Sequence, residues 1–417
     1  MRPRFSGLWR NADFLKLWAG RTISKFGSLL GALQFTAILV LNATPFQLAL
    51  LTAAGVAPGL LVGLVAGAWV DRLRRRPILI SADIGRAALL GSIPLAFFFD
   101  LLHMEQLYLV AFLSGTLTIF FDVAYLSYLP SLVHRHNLIE ANSKLSATAS
   151  AAEVCAFSLG GWLVQLSSAI TATFIDALSF LFSALFVGWI RTPEPTPVPR
   201  AEDQRMRQDI AEGLRVVWRN LLLRAIAGAT FALELGQGII GALILLYGIR
   251  ELGFKPGVLS TIFAVGGISS ILGALIAERI TRRLGVGRAA VYGFLLYGLA
   301  ALFIPLARGP LILAAIPLLA QQLLGDGAYT VYDINQNSLR QAITPDWLLG
   351  RVNASIRILG LGTMLVGSLL GGLLAETIGL RLSLVVAALI ILMGALWLVL
   401  SPVRQVRKFP EHTDVLP

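Results

Sequence analysis

Residues 67–77 read Gly67-Ala-Trp-Val-Asp71-Arg72-Leu-Arg74-Arg75-Arg76-Pro77, a charged turn between two long apolar runs, about 46–70 and 77–99. Each run matches the roughly 20 residues that a helix needs to cross the hydrocarbon core of a bilayer. Irregular backbone in lipid would leave N–H and C=O groups unpaired, so such runs must be helical. Working outward, the same reading gives twelve spans. Those of the first half are 14–41, 46–70, 77–99, 105–129, 139–165 and 169–190. Those of the second are 221–249, 256–278, 287–307, 311–336, 348–376 and 379–401. The predicted class is an all-α polytopic membrane protein.

Composition agrees. Of 417 residues 56% are hydrophobic and only 14% charged, against about 25% charged in a soluble domain, and the mean hydropathy is +0.77. The net charge of +11 does not read as a nucleic-acid surface, because the Lys and Arg sit in the short gaps between apolar runs. The single Cys155 excludes an internal disulfide, and His103, His134, His136 and His412 lack metal-ligand spacing. Neither a metal nor a cofactor is expected. No phosphate-binding Gly-x-x-x-x-Gly-Lys-Ser/Thr motif occurs, so ATP is not expected to drive the protein directly. The first apolar run has no small-residue cleavage site after it and is expected to stay as a membrane helix.

Orientation follows from the Lys/Arg asymmetry. With the N-terminus inside, 24 of the 34 Lys and Arg fall in inner segments and 4 in outer ones (Arg250, Lys255, Arg308 and Arg381). Both termini are therefore expected on the cytoplasmic side of a bacterial inner membrane. The chain divides into a first six-helix bundle (1–191), a linker (192–220), a second six-helix bundle (221–402) and a tail (403–417). The linker opens Thr-Pro-Glu-Pro-Thr-Pro-Val-Pro, an extended polyproline-like stretch. It continues from Gln204 to Asn220 as an amphipathic helix with Ile210, Leu214, Val217 and Trp218 on one side. That helix either lies on the membrane surface or docks a partner.

The halves repeat. Phe121-Asp122 answers Tyr332-Asp333, Asn137 to Asn142 answers Leu348 to Asn353, and Gly160-Gly161 answers Gly371-Gly372, each 211 residues apart. Asp71-Arg72 with Arg75-Arg76 answers Glu278-Arg279 with Arg282-Arg283, 207 apart. Repeats of this kind place substrate near the bilayer midplane and permit alternating access.

With its echo in the second half, the 67–77 turn resembles the signature loop of the major facilitator superfamily. The wider chain resembles the enterobactin-exporter and macrolide-efflux branch. The stretches that carry this are Leu8-Trp9-Arg10-Asn11-Ala12-Asp13-Phe14, Asp83-Ile84-Gly85-Arg86, Phe120-Phe121-Asp122-Val123-Ala124-Tyr125, Thr344-Pro345-Asp346 and Gly350-Arg351-Val352-Asn353. The resemblance implies a fold of two pseudo-symmetric bundles, working as a monomer without enzymatic activity. It also implies proton-coupled efflux of an amphipathic small molecule such as a siderophore or a drug. A uniporter or flippase for a lipid-like substrate, or a sensor or scaffold without turnover, stays open.

Three groups of residues are singled out. The gate comprises Gly67, Asp71, Arg72, Arg75, Glu278, Arg279, Arg282, Glu140 and Arg351, with Asp71 expected to meet Arg351 and Glu140 to meet Arg279 or Arg282. Arg74 and Arg76 read as simple positive-inside anchors. Embedded carboxyls are costly unless they find a partner, a cavity or a proton. Glu153, Glu234 and Asp326 are therefore proton-coupling candidates. Cavity candidates are Lys25, Gln34, Phe35, Tyr125, Gln237, Tyr329 and Tyr332. Lys25 either snorkels to the surface or faces the cavity, where it would favour an anionic substrate. Asp83 and Arg86, three apart on one helix, are expected to pair. Asp176 is expected to be structural, and Asp122 and Asp333 to be caps or latches.

Overall fold

The structure, a computed structural model, describes residues 7–133, 137–194 and 206–407. The side chains of Asp71 and Glu153 lie outside the described residues, as do linker residues 195–205 and tail residues 408–417. Among the described residues every regular element is helical. The first half contains α1 (Ala12–Ser28), α2 (Ala32–Leu39), α3 (Pro45–Leu61), α4 (Gly63–Arg72), α5 (Arg75–Phe98), α6 (Met104–Leu132), α7 (Leu138–Leu166) and α8 (Ala169–Gly188). The linker helix is α9 (Met206–Arg219). The second half contains α10 (Leu221–Leu246), α11 (Pro256–Leu284), α12 (Val286–Ala301), α13 (Phe303–Leu306), α14 (Leu311–Gln321), α15 (Gly327–Ile343), α16 (Asp346–Ile378) and α17 (Leu380–Leu400).

Eleven helical segments among the described residues are long and apolar enough to cross a membrane. The twelfth expected span is α3 followed by α4, each too short alone. The chain steps at Val62, four residues beyond Pro58, which sits inside α3 and cannot donate a backbone bond. The break leaves little unsatisfied: Val62 N donates to Pro58 O at 2.8 Å, and Ala66 N to Val62 O at 2.9 Å. The first span is also interrupted, where a continuous helix was expected. Gly31, at φ +66°, separates α1 from α2, a backbone state that glycine adopts without a Cβ penalty. Of two π-helical turns, Tyr247–Glu251 ends the seventh span and Gln322–Asp326 interrupts the tenth.

Helix starts follow local chemistry. The Asn11 side chain accepts from Asp13 N and Phe14 N, and the Asn220 side chain from Leu222 N and Leu223 N, at 2.9–3.1 Å. Side chains that would be anomalous on a soluble protein stand exposed, Leu400 at 86% and Ile312 at 80%. Apolar surface of that extent belongs against lipid tails.

The residues form two compact units: 1–43 with 54–201 and 256–261, and 44–53 with 202–255 and 262–417. In the first, α8 packs on α1 and α5, and α6 on α5. In the second, α10 packs on α16 and α17, and α12 on α15.

Lipid supplies no hydrophobic force between helices, so close packing of small residues has to hold them. The α10–α16 seam shows it. A Cβ on Gly238 would come 2.3 Å from Met364 O, and one on Gly367 would come 2.2 Å from Leu235 O. Gly241, on the same helix, has nothing within 4 Å of its Cβ position. Gly238→Ala is expected to destabilise the protein by about 1–3 kcal/mol through forced separation of the helices. Gly241→Ala should stay within about 0.5 kcal/mol. Thermal unfolding of the two variants in detergent checks the contrast.

Candidate transport site

Helix ends of the first unit are tied by carboxylates and guanidinium groups. Glu194 accepts from the backbone N–H of Arg75 at 2.6 Å and of Arg76 at 3.2 Å, and its carboxylate caps the N-terminus of α5. The Arg75 guanidinium lies 3.6 Å from it. Arg76 donates to Val187 O and Gly188 O at 3.3 and 2.5 Å, closing the C-terminus of α8. Arg76 is thus a cap with defined partners, more than the anchor expected of it; a guanidinium suits orphan carbonyls at a helix end. Asp13 Oδ2 accepts from Arg191 N, Thr192 N and the Thr192 hydroxyl at 3.2, 2.9 and 2.6 Å, which pins the start of the linker.

The other gate residues have these partners. Glu140 pairs with Lys144 at 2.5 Å, and Glu278 with Arg282 at 3.7 Å. Both are i,i+4 pairs, which form on one helix without any second element. Arg351 on α16 meets Glu212 of α9 at 2.6 Å, and α9 lies close enough there that a Cβ on Gly213 would come 2.5 Å from Arg351 O. Arg72 and Arg279 are exposed, and Gly67 has open space at its Cβ position.

Within the first unit, Phe35 and Tyr125 are buried, 3% and 7% exposed, while Lys25 and Gln34 are half-buried. Tyr125 stacks on Phe121 with centroids 6.1 Å apart. Asp83 and Arg86 form the expected pair, both fully buried. Arg86 lies between the faces of Phe121 and Phe180, 4.5 and 4.2 Å from their centroids. Aromatic faces attract a desolvated guanidinium. Arg21, on α1, meets Asp122 at 2.8 Å and sits 5.2 Å from the Phe121 ring.

The second unit gathers five of the predicted residues. Tyr329 and Tyr332 follow the second π-helical turn on α15, 6.4 Å apart. Tyr297 on α12 lies 5.4 Å from Tyr329, and Phe294 stacks on Tyr332 at 4.6 Å. Gln237 lies beside the Tyr297 hydroxyl. Asp326 closes the π turn, and its carboxylate covers Gly266 of α11, where an added Cβ would come 1.9 Å from Oδ2. Such turns shift a helix face by one residue and recur at functional sites. Glu234 on α10 packs against Gly360 of α16, its Cγ 3.5 Å from a Cβ built there. Glu234, Asp326 and Asp333 all act electrostatically on Tyr329. Among the described residues no basic side chain acts on Glu234 or Asp326. Tyr332 and Tyr297 are buried, and Glu234, Gln237, Asp326, Tyr329 and Asp333 are partly buried. Sequence reasoning missed Tyr297 and Phe294; a tyrosine within the apolar run 287–307 was the available signal.

The family model described as transmembrane secretion effector, within the major facilitator superfamily, matches residues 5–413. The chain belongs to that family and is a multi-pass membrane transporter, not an enzyme. It is 28% identical over 416 residues to the MFS-type transporter YfiS of Bacillus subtilis (strain 168), covering 96% of both chains. It is 26% identical over 385 residues to the multidrug efflux pump Tap of Mycolicibacterium fortuitum, covering 88% of this chain and 90% of that one. Over 210 residues, half of each chain, it is 23% identical to macrolide efflux protein A of Streptococcus pyogenes, covering 50% and 51%. Among solved structures it resembles a bacterial homologue of the iron transporter ferroportin (TM-score 0.74, 18% identity, 94% of this chain and 99% of that one). It also resembles the nucleoside transporter NupG (TM-score 0.73, 14% identity, 94% and 98%). These two likenesses concern the fold.

Two stability outcomes follow from the first unit. Asp83→Ala should destabilise by about 3–5 kcal/mol, because it leaves the Arg86 charge buried without its partner. Glu194→Ala should cost about 0.5–2 kcal/mol, the range for losing a helix N-cap. Thermal unfolding of purified protein measures both.

Proposed function

We propose that the protein is a secondary exporter of an amphipathic small molecule, working by alternating access as a monomer and coupled to proton entry. It would lie in a bacterial inner membrane with both termini cytoplasmic. The Lys/Arg asymmetry supports the orientation, and the names of two relatives, a multidrug efflux pump and a macrolide efflux protein, support the direction.

The observation that carries the substrate class is the partly buried face of Glu234, Asp326 and Tyr329. Carboxyls without basic neighbours beside a tyrosine suit an organic cation with an apolar body. A catecholate siderophore would meet like charge there. Glu234 and Asp326 are also the carboxyls of this unit placed to exchange a proton for the cation. Glu153 remains a candidate in the first unit.

Proteoliposomes with an imposed pH gradient test this, with ethidium as the cationic probe and a catecholate as the anionic one. Gradient-driven movement of ethidium but not of the catecholate is expected. Glu234→Gln or Asp326→Asn should weaken ethidium binding by about 1.5–3 kcal/mol, roughly tenfold to a hundredfold in Kd. Transport of a lysolipid analogue without a gradient would point to a flippase, and no transport of any probe to a scaffold.

A further inference from the structure

The first unit holds a second group of embedded charges, which the reading above does not use. Its centre is Asp176 on α8, 6% exposed. Against it stand Gly27 of α1, whose missing Cβ leaves Asp176 Oδ1 room (a Cβ there would come 2.6 Å from that oxygen), and Ser179. Ser179 has one hydroxyl hydrogen. It goes to the backbone carbonyl of Asp176 at 2.7 Å, leaving the carboxyl oxygen at 3.4 Å. Among the described residues the Asp176 carboxyl therefore has only this long contact, and no cation forms an ion pair with it. An ionised carboxylate so placed at membrane depth is costly, and a proton removes the cost.

The surroundings supply a counterweight. From α5, Asp83 and Arg86 face the group, and Arg86 acts on Asp176 electrostatically. One oxygen of Asp83 takes the guanidinium; the other is fully buried and accepts no hydrogen bond of good geometry, with the Ser183 hydroxyl beside it. From α6 come Asp122 and Tyr125, and from α1 Arg21. Lys25 on α1 does not act on Asp176. From α2, Thr36 meets Thr173 of α8 at 3.3 Å. From α7, Thr148 and Cys155 stand nearby, and the Glu153 side chain lies outside the described residues. Three aspartates face two arginines, so a single proton balances the group. An apolar cleft of about 610 Å³ between α1, α7 and α8 reaches Gly27 and Ser179, and Cys155 is on its wall.

We propose that Asp176 is a proton-binding site of this transporter, taking up and releasing one proton beside the Arg86–Asp83 pair, against the Gly27 and Ser179 that line the α1–α7–α8 cleft. The O–H bond forms on the carboxyl as the proton arrives and breaks when it leaves, with no other bond changed. Protonated, Asp176 donates to Ser179 Oγ and Arg86 belongs to Asp83 alone. Deprotonated, it competes with Asp83 for Arg86 across the α5–α8 seam. This inference rests on proton-coupled export as its setting.

Infrared spectroscopy of purified protein reads the site without any substrate. Wild type should show a carboxylic-acid C=O band, sensitive to heavy water, that disappears reversibly as pH rises and is absent from Asp176→Asn. No such band, or one unchanged at every pH, would overturn the proposal. In proteoliposomes, Asp176→Asn should lose about tenfold or more of gradient-driven ethidium movement while ethidium exchange without a gradient stays within about twofold. Retained gradient-driven movement would refute the coupling role. Wild type that moves ethidium in neither regime would refute the exporter reading for this probe and leave the infrared result to decide the proton site.

Discussion

In hydrocarbon every backbone N–H, every C=O and every charge must be answered inside the protein. That constraint governs the spans, their interruptions and the polar clusters alike. Gly31 and Val62 break the first two spans, yet the Leu30, Phe35, Val62 and Ala66 N–H groups around the breaks find carbonyls within four residues. The two π-helical turns keep the ladder of hydrogen bonds while shifting its register.

The same constraint sorts the ionisable residues. At span ends they cap: Glu194 on α5, Arg76 on α8, Asp13 on the chain leaving α8. Inside the first unit, Arg86 is answered by a carboxylate and two aromatic faces. What remains without an answering cation among the described residues is the second unit's Glu234 and Asp326, while the first unit's Asp176 has only the field of an Arg86 already paired with Asp83. These are the positions proposed above for substrate and proton.

The positions of the spans were legible because long apolar runs leave only one option in lipid. Their interruptions were not. Gly31 is one of 40 glycines, and its left-handed backbone shows only when the chain turns. The glycines of the α10–α16 seam read simply as small residues, and only the opposing backbone says that Gly238 is crowded and Gly241 is not. Partners were the least legible feature. The Asp83–Arg86 pair could be read because three residues place two side chains on one helix face. The Arg351–Glu212 contact depends on where the linker helix settles.

By itself, then, the sequence determined a twelve-span helical transporter with a repeated half, because hydropathy and charge act locally along the chain. It also named Glu234, Gln237, Asp326, Tyr329 and Tyr332 one at a time. Only tertiary structure set those five on one another with Tyr297 beside them, and only it left Asp176 with no closer contact than the Ser179 hydroxyl at 3.4 Å. Burial and partnership are properties of neighbours distant in sequence, and no local pattern encodes which helices meet or which of their side chains go unanswered.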